Sequence, residues 1–225
     1  MIATTTTHPI ACVLFDLDGT LADTAPDLAH ALNLLREERG LAPVPLEQVR
    51  SHVSHGARGM LEAGLGIRPD DAGFLPLRDR FLEIYEANLA RESRLFDGMH
   101  ELLDGLEARG LPWGVVTNKA ERFAVPLIAL FGLSQRSGCL IGGDTTGRAK
   151  PFPDPLLAGA RAIGVDPAHC LYVGDDRRDV EASIAAGMTP VVALYGYLHG
   201  ADPHDWGAQW MIEQPIDLLD GLPAT

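Results

Sequence analysis

The stretch Ile10-Ala-Cys-Val-Leu-Phe-Asp16-Leu-Asp18-Gly-Thr20 constrains the fold more than any other part of the chain. An unbroken apolar run of strand length suits a strand buried on both faces, the environment of a parallel sheet covered by helices. It ends abruptly in two carboxylates and a glycine. Burying one charge beside an apolar strand is costly and burying two like charges is worse, so the pair requires a cation or basic partners. Asp16 and Asp18 stand at i and i+2, which in extended chain points both side chains to one face, where they can share one metal and one substrate. By itself the segment also fits a strand end followed by an ordinary Asp-Gly turn, so the rest of the chain decides.

After Thr20 the period changes to 3.6. Leu28, Ala31, Leu32 and Leu35 form an apolar stripe, with Thr24 as N-cap, Asp27 three residues on, and Gly40 as the stop. Leu46 to about Arg94 reads as further helices broken by Gly and Pro, without a good strand. From Asp97 helices and strands alternate: a helix through Met99, Leu102, Leu103 and Leu106, a strand at 113–116, a helix over 120–131 and a short strand at 138–141. A Pro-started helix running to Ile163, a strand at 170–173, a helix to Ala186 and a last strand at 190–194 follow. Such alternation predicts an α/β fold, a Rossmann-like parallel sheet with right-handed crossovers. The expected organisation is a core of residues 1–20 and 95–225 interrupted by a helical cap over 21–94.

Charge and cysteine usage narrow the function. A formal charge of −13 and a pI near 4.9 argue against nucleic acid or an anionic membrane as partner, since both would be repelled. An anionic small substrate would need a local positive site. Cys12, Cys139 and Cys170 are too few and too scattered for a disulfide framework or a zinc site, and they read as buried thiols in a reducing cytoplasm. Residues 1–9 show neither a basic region nor an apolar core of an export signal, and no eighteen-residue apolar run follows.

In an open parallel sheet functional groups gather at the carboxyl ends of the strands. Four segments place polar groups there: Asp16/Asp18, Thr117/Asn118, Lys150, and Gly174-Asp175-Asp176-Arg-Arg-Asp179. Seen singly, each fits an ordinary role, such as an N-cap, a solvated loop lysine or helix-start carboxylates. Together they supply a nucleophile, a hydroxyl, a cation and further carboxylates, the set that phosphoryl transfer through an aspartyl phosphate requires.

In order and spacing these four segments resemble the motifs of the haloacid dehalogenase-like hydrolases, across almost the whole chain. The helical insertion after the first motif resembles a type-1 cap, as in the phosphoglycolate phosphatase branch. The resemblance implies that Asp16 attacks phosphorus, that Asp18 protonates the leaving group and then activates water, and that Thr117, Asn118 and Lys150 bind the phosphoryl group. It also implies a Mg²⁺ ion held by Asp16, the Asp18 carbonyl and Asp175, with Asp176 and Asp179 supporting from outside. In the cap, Ser51-His-Val-Ser-His55-Gly56-Ala-Arg58-Gly59 occupies the place of a substrate-specificity loop. His55, Gly56 and Arg58 are its candidate contacts, Arg58 for a substrate carboxylate.

The implied activity is hydrolysis of a small carboxylated phosphate monoester, by a monomer or homodimer. Segments 114–119 and 174–176 and the tail from Tyr195 to Gly207 resemble the N-acetylmuramic acid 6-phosphate phosphatases, while the branch as a whole resembles phosphoglycolate phosphatase. A phosphosugar mutase shares the core. A phospho-accepting receiver domain also uses Asp, Thr and Lys, but its acidic pair precedes the acceptor and it carries no helical insertion of this length.

Overall fold

Residues 9–198, 200, 202–208 and 210–222 are described by the computed structural model of the chain. Residues 1–8, which carry most of the N-terminal segment searched for an export signal, lie outside it.

Strand β1 (Cys12–Phe15) is the predicted apolar run, and all four residues are completely buried. It lies inside a six-stranded parallel sheet of order β5-β4-β1-β6-β7-β8, where β4 is Trp113–Val116, β5 Leu140–Ile141, β6 Cys170–Gly174, β7 Thr189–Ala193 and β8 Trp210–Ile212. Alternate side chains go to opposite layers, as the two-residue period of a strand demands. Val13 and Phe15 pack with Met99, Leu102, Leu106, Ala124 and Leu127 of helices α5 (Met99–Ala108) and α6 (Glu121–Leu130). Cys12 and Leu14 pack on the other face with Leu156 and Ala160 of α7 (Asp154–Ile163) and with Ala182 and Ala186 of α8 (Arg177–Ala186). Cys12 and Cys170 are buried and Cys139 half-buried, and none forms a disulfide.

Between β1 and α5 the chain builds a helical block. Its helices are α1 (Ala25–Glu38), α2 (Leu46–Val49), α3 (Gly56–Leu65) and α4 (Phe74–Ala87), with a 3-10 turn over Arg50–His55. The predicted stripe of α1 is buried against Met60, Leu61, Phe81, Ile84 and Tyr85 in a separate apolar cluster, which Phe123 and Tyr197 join from the sheet side. Among the described residues no helix is long and apolar enough to cross a membrane.

Three expectations need correction. Thr24 does sit at the N-cap of α1, but its side chain caps nothing; its hydroxyl donates to Asp18 Oδ1 at 2.6 Å. Asp27, completely buried, accepts from the backbone N–H groups of Glu92 (2.7 Å) and Ser93 (3.1 Å) and from the Ser93 hydroxyl (2.5 Å). Local helix-start chemistry has been overridden by long-range contacts, because the two ends of the helical block must meet. They do so through a ribbon that escaped the period test by being only two residues long on each side: β2 (Ala22–Asp23) pairs antiparallel with β3 (Arg94–Leu95). The strand over 189–193 is not the last one either. β8 adds a further edge, followed by α9 (Asp217–Gly221).

Asp27 thus ties the start of the helical block to its end. Replacing it by Ala leaves two backbone donors and one hydroxyl without their acceptor, and the loss should be roughly 2–4 kcal/mol of unfolding free energy, given the penalty for stranding buried donors. Urea denaturation of Asp27→Ala beside the unsubstituted chain measures it; a loss below about 0.5 kcal/mol would show that the junction holds without this carboxylate.

Candidate active site

The carboxyl ends of β1, β4 and β6 meet beneath the helical block at a cavity of about 400 Å³. Asp16, directly after β1, and Asp175 and Asp179, at the end of β6 and in the first turn of α8, bring carboxylate oxygens within 4.8 Å of one another. Glycines, Gly19 and Gly174 among them, make this crowding possible. Gly19 has φ +84°, and a Cβ there would collide with the Asp175 carboxylate; a Cβ on Gly174 would collide with that of Asp179.

Lys150 enters the group from the loop before α7. Its Nζ lies 3.0 Å from Asp16 Oδ1 and 2.6 Å from Asp179 Oδ1, and donates to the Tyr172 hydroxyl at 2.7 Å. Burial opposes the charge of this ammonium, but Asp16 and Asp179 outweigh it and hold its pKa above the ordinary lysine value. Asn118 fixes the segment by closing both ends of its amide on the Lys150 backbone: Nδ2 donates to the carbonyl at 3.0 Å, and the Lys150 N–H donates to Oδ1 at 2.9 Å. Thr117, buried at the end of β4, accepts from the Lys119 N–H at 3.2 Å. Thr117, Asn118 and Lys150 all line the cavity with Asp16 and Asp18.

Asp175 has a different environment. It accepts from the Thr20 hydroxyl (2.8 Å) and the Tyr197 N–H (2.8 Å), and among the described residues no ammonium or guanidinium pairs with it. Burial, then the charges of Asp16 and Asp179, push its pKa well above the usual carboxylate range. Burial likewise pushes Asp179 up, to about 6, against the pull of Lys150. A set of hard oxygen donors with more negative charge than Lys150 can offset fits a divalent cation with hard preferences, since such an ion would relieve the repulsion that raises Asp175.

The remaining candidates fall into two groups. Asp176 is the N-cap of α8, accepting from Arg178 N–H at 2.9 Å while Asp179 accepts the Asp176 N–H at 3.0 Å, a reciprocal capping box. Its carboxylate also pairs with Arg178 at 2.8 Å. Burial works against its charge, but the Arg178 pairing prevails and lowers its pKa. His55 and Gly56 line the cavity from the helical block. Arg58 does not belong to the lining; it is exposed on α3.

Several cavity residues carried no assignment from the sequence. Lys119 Nζ contacts both oxygens of Asp18 at 3.0 Å, with its side chain only 6% exposed, and sits 4.7 Å from the centroid of the Tyr85 ring. Its signal was present, a lysine two residues past Thr117 at the strand end, but only the fold shows that it faces Asp18. Arg178, Arg122, Tyr85 and Phe123 also line the cavity. Tyr172 reads as an ordinary sheet aromatic until Lys150 is seen on its hydroxyl.

Comparison with known proteins bears on the family and the fold. A family model described as haloacid dehalogenase-like hydrolase matches residues 13–193. The chain is 44% identical over 214 residues to the N-acetylmuramic acid 6-phosphate phosphatase of Pseudomonas aeruginosa, covering 95% of each chain. It is 47% identical over 209 residues to the phosphoglycolate phosphatase of Xanthomonas campestris pv. campestris, covering 92% of this chain and 94% of that one. A crystal structure of a predicted phosphoglycolate phosphatase from Haemophilus somnus 129PT superposes with a TM-score of 0.83 at 28% identity, over 94% of this chain and 97% of that one.

The electrostatics of Asp175 can be tested through stability. A carboxyl whose pKa is raised on folding binds its proton more tightly in the folded state, so its contribution falls as pH rises from the ordinary carboxylate range toward the raised value. In the presence of chelator, Asp175→Asn should therefore gain Tm relative to the unsubstituted protein at pH 8, and that gain should shrink toward pH 4. Thermal melts at the two pH values check it; a difference in Tm that does not change with pH contradicts the charge account.

Proposed function

The chain belongs to the haloacid dehalogenase-like hydrolases, and from that premise we propose that it is a Mg²⁺-dependent phosphatase acting on a small carboxylated phosphate monoester of the phosphoglycolate or N-acetylmuramic acid 6-phosphate kind. The observation that carries the reading is the convergence of Asp16, Asp18, Lys150 and Asp179 on one cavity, with the buried Asp175 carboxylate within 4.8 Å of those of Asp16 and Asp179. The relatives' activities supply the substrate class: both named enzymes act on phosphate esters of carboxylic acids.

In this reading an oxygen of Asp16 attacks the phosphorus, the P–O bond to the alcohol breaks, and Asp18 delivers a proton to the departing oxygen. Asp18 then takes a proton from the water that attacks the aspartyl phosphate, releasing phosphate and restoring Asp16. Lys150 orients Asp16 at 3.0 Å and, with Thr117, binds the non-bridging oxygens. Lys119 and Thr24 orient Asp18. Asp16, Asp175 and the Asp18 carbonyl would hold Mg²⁺, which supplies positive charge against the charge that develops on the phosphoryl group. The helical block over residues 21–94 acts as the cap, excluding water from the intermediate and presenting His55 and Gly56 to the substrate.

Asp16→Asn removes the attacking charge while keeping the shape, and turnover should vanish with the fold retained. Asp18→Asn should slow turnover by roughly the 10²–10⁴-fold typical of lost acid–base catalysis. Steady-state assays with p-nitrophenyl phosphate, alongside circular dichroism, measure both, and wild-type rates in Asp16→Asn would refute the mechanism. Excess chelator should silence the enzyme and added Mg²⁺ restore it, whereas Ca²⁺, content with looser geometry, should occupy the site without supporting turnover. Full activity in chelator would exclude a metal bound by these carboxylates.

A further inference from the structure

Three cations that line the cavity already have carboxylate partners: Lys150 with Asp16 and Asp179, Lys119 with Asp18, and Arg178 with Asp176. The fourth, Arg122, differs. It lies in the first turn of α6, exposed at the cavity rim, with its guanidinium carbon 4.4 Å from the centroid of the Phe123 ring. Among the described residues no carboxylate pairs with it. A guanidinium held over an aromatic ring by a cation–π contact commits none of its N–H donors to a carboxylate, and those donors match a carboxylate as a two-pronged fork.

The surface between Arg122 and the reacting groups is aromatic. Phe123 meets Tyr85 of the helical block, ring centroids 5.4 Å apart and planes at 60°, and the Lys119 ammonium, bound to Asp18, stands over the Tyr85 ring 4.7 Å from its centroid. Leu28, Val53, Phe81 and Leu82 extend the apolar lining. Tyr85 is 1% exposed and its hydroxyl forms no hydrogen bond among the described residues. The cavity therefore runs from a polar floor at Asp16, along an aromatic wall, to a cation without a carboxylate partner among the described residues. At about 400 Å³ it falls in the range of roughly 300–1,000 Å³ that encloses ligands larger than a two-carbon acid.

We propose that Arg122 is the receptor for a carboxylate carried by a ring-bearing phosphate ester, whose body lies along the Phe123–Tyr85 wall. The proposal rests on the phosphatase reading above and assigns its selectivity to the start of α6, on the sheet side of the cavity, instead of to Arg58. In a chain of net charge −13 an anionic substrate gains most from a cation that no carboxylate pairs with among the described residues.

The test compares two esters that share a ring and differ in the acid. kcat/KM is measured for N-acetylmuramic acid 6-phosphate and for N-acetylglucosamine 6-phosphate, which lacks the lactyl carboxylate, using the unsubstituted enzyme, Arg122→Ala and Arg122→Lys. The unsubstituted enzyme should prefer the acid. In Arg122→Ala that preference ratio should fall roughly 10- to 100-fold, as expected for removing one partner of a partly desolvated charge pair. Arg122→Lys, which keeps the charge without the fork, should give an intermediate ratio. A ratio unchanged in Arg122→Ala overturns the assignment, because a merely structural role for the Phe123 stack would depress both esters together. An unsubstituted enzyme that shows no preference for the acid, or that cleaves phosphoglycolate and neither ring ester, overturns it too. The phosphatase reading fails separately, and the assignment with it, if p-nitrophenyl phosphate and all three metabolites go uncleaved.

Discussion

Lys150 is the charge on which the arrangement depends. Three carboxylates with oxygens inside 4.8 Å repel one another, and their burial removes the water that would screen them. The ammonium of Lys150, 3.0 Å from Asp16 and 2.6 Å from Asp179, offsets that repulsion directly. A lysine this deeply buried would be costly alone, so the pair of carboxylates and the lysine stabilise one another. Its position is fixed from three directions: the Tyr172 hydroxyl on β6, the Asn118 amide after β4, and the Val116 carbonyl, which accepts from Tyr172 at 2.6 Å. The register of three neighbouring strands is therefore written into the reacting geometry, and Asp175, left without a basic partner among the described residues, is where further positive charge fits.

A second node joins this floor to the helical block. The Tyr197 hydroxyl donates to Asp23 Oδ1 at 2.6 Å and accepts from the N–H groups of Thr24 and Ala25, while its own N–H donates to Asp175. Asp23 in turn pairs with Arg50 through two 3.0 Å contacts. Burial, with Asp23 adding to it, pushes the Tyr197 phenol far above its ordinary pKa, so it stays a neutral donor across the working pH range. Near the cavity, Arg178 donates to the Ser54 carbonyl at 2.7 Å while paired with Asp176. The entry to α1 and the turn before α3 are thus held to the same residues that border the carboxylate group, and the position of the block over the site is coupled to the site's own electrostatics.

The division of labour between the two halves follows from chemistry. The phosphoryl group is common to all phosphate esters, so groups that bind it at the strand ends, as proposed, cannot choose among them. In the proposed function, choice requires groups that reach the remainder of the substrate, and the cavity is lined from both sides: by His55, Gly56 and Tyr85 from the helical block and by Phe123 and Arg122 from α6.

What the sequence determined by itself is what depends on short-range regularities. The apolar run before Asp16, the helical periods, the glycine stops and the order of the four polar segments follow from chain geometry, and the parallel sheet follows from their alternation. Asp16, Thr117 and Asp175 were legible because ending a buried apolar strand in a polar group is costly, and that cost marks the position as one with chemical work to do; Lys150 was legible from its place in their order. The tertiary structure alone decided the partners. Thr24 and Asp27 look like helix-start residues in any local window, yet one binds Asp18 and the other the backbone at 92–93. Lys119, Tyr172 and Arg122 resemble a loop cation, a sheet aromatic and a surface arginine until the fold sets them against Asp18, Lys150 and the cavity rim. β2, β3 and β8 are two or three residues long, too short for a period to show, and they exist because neighbouring chain offers hydrogen-bonding edges. Arg58, placed by its sequence neighbours beside the substrate, is exposed outside the lining because a helix turns about 100° per residue and the cavity meets only one side of it.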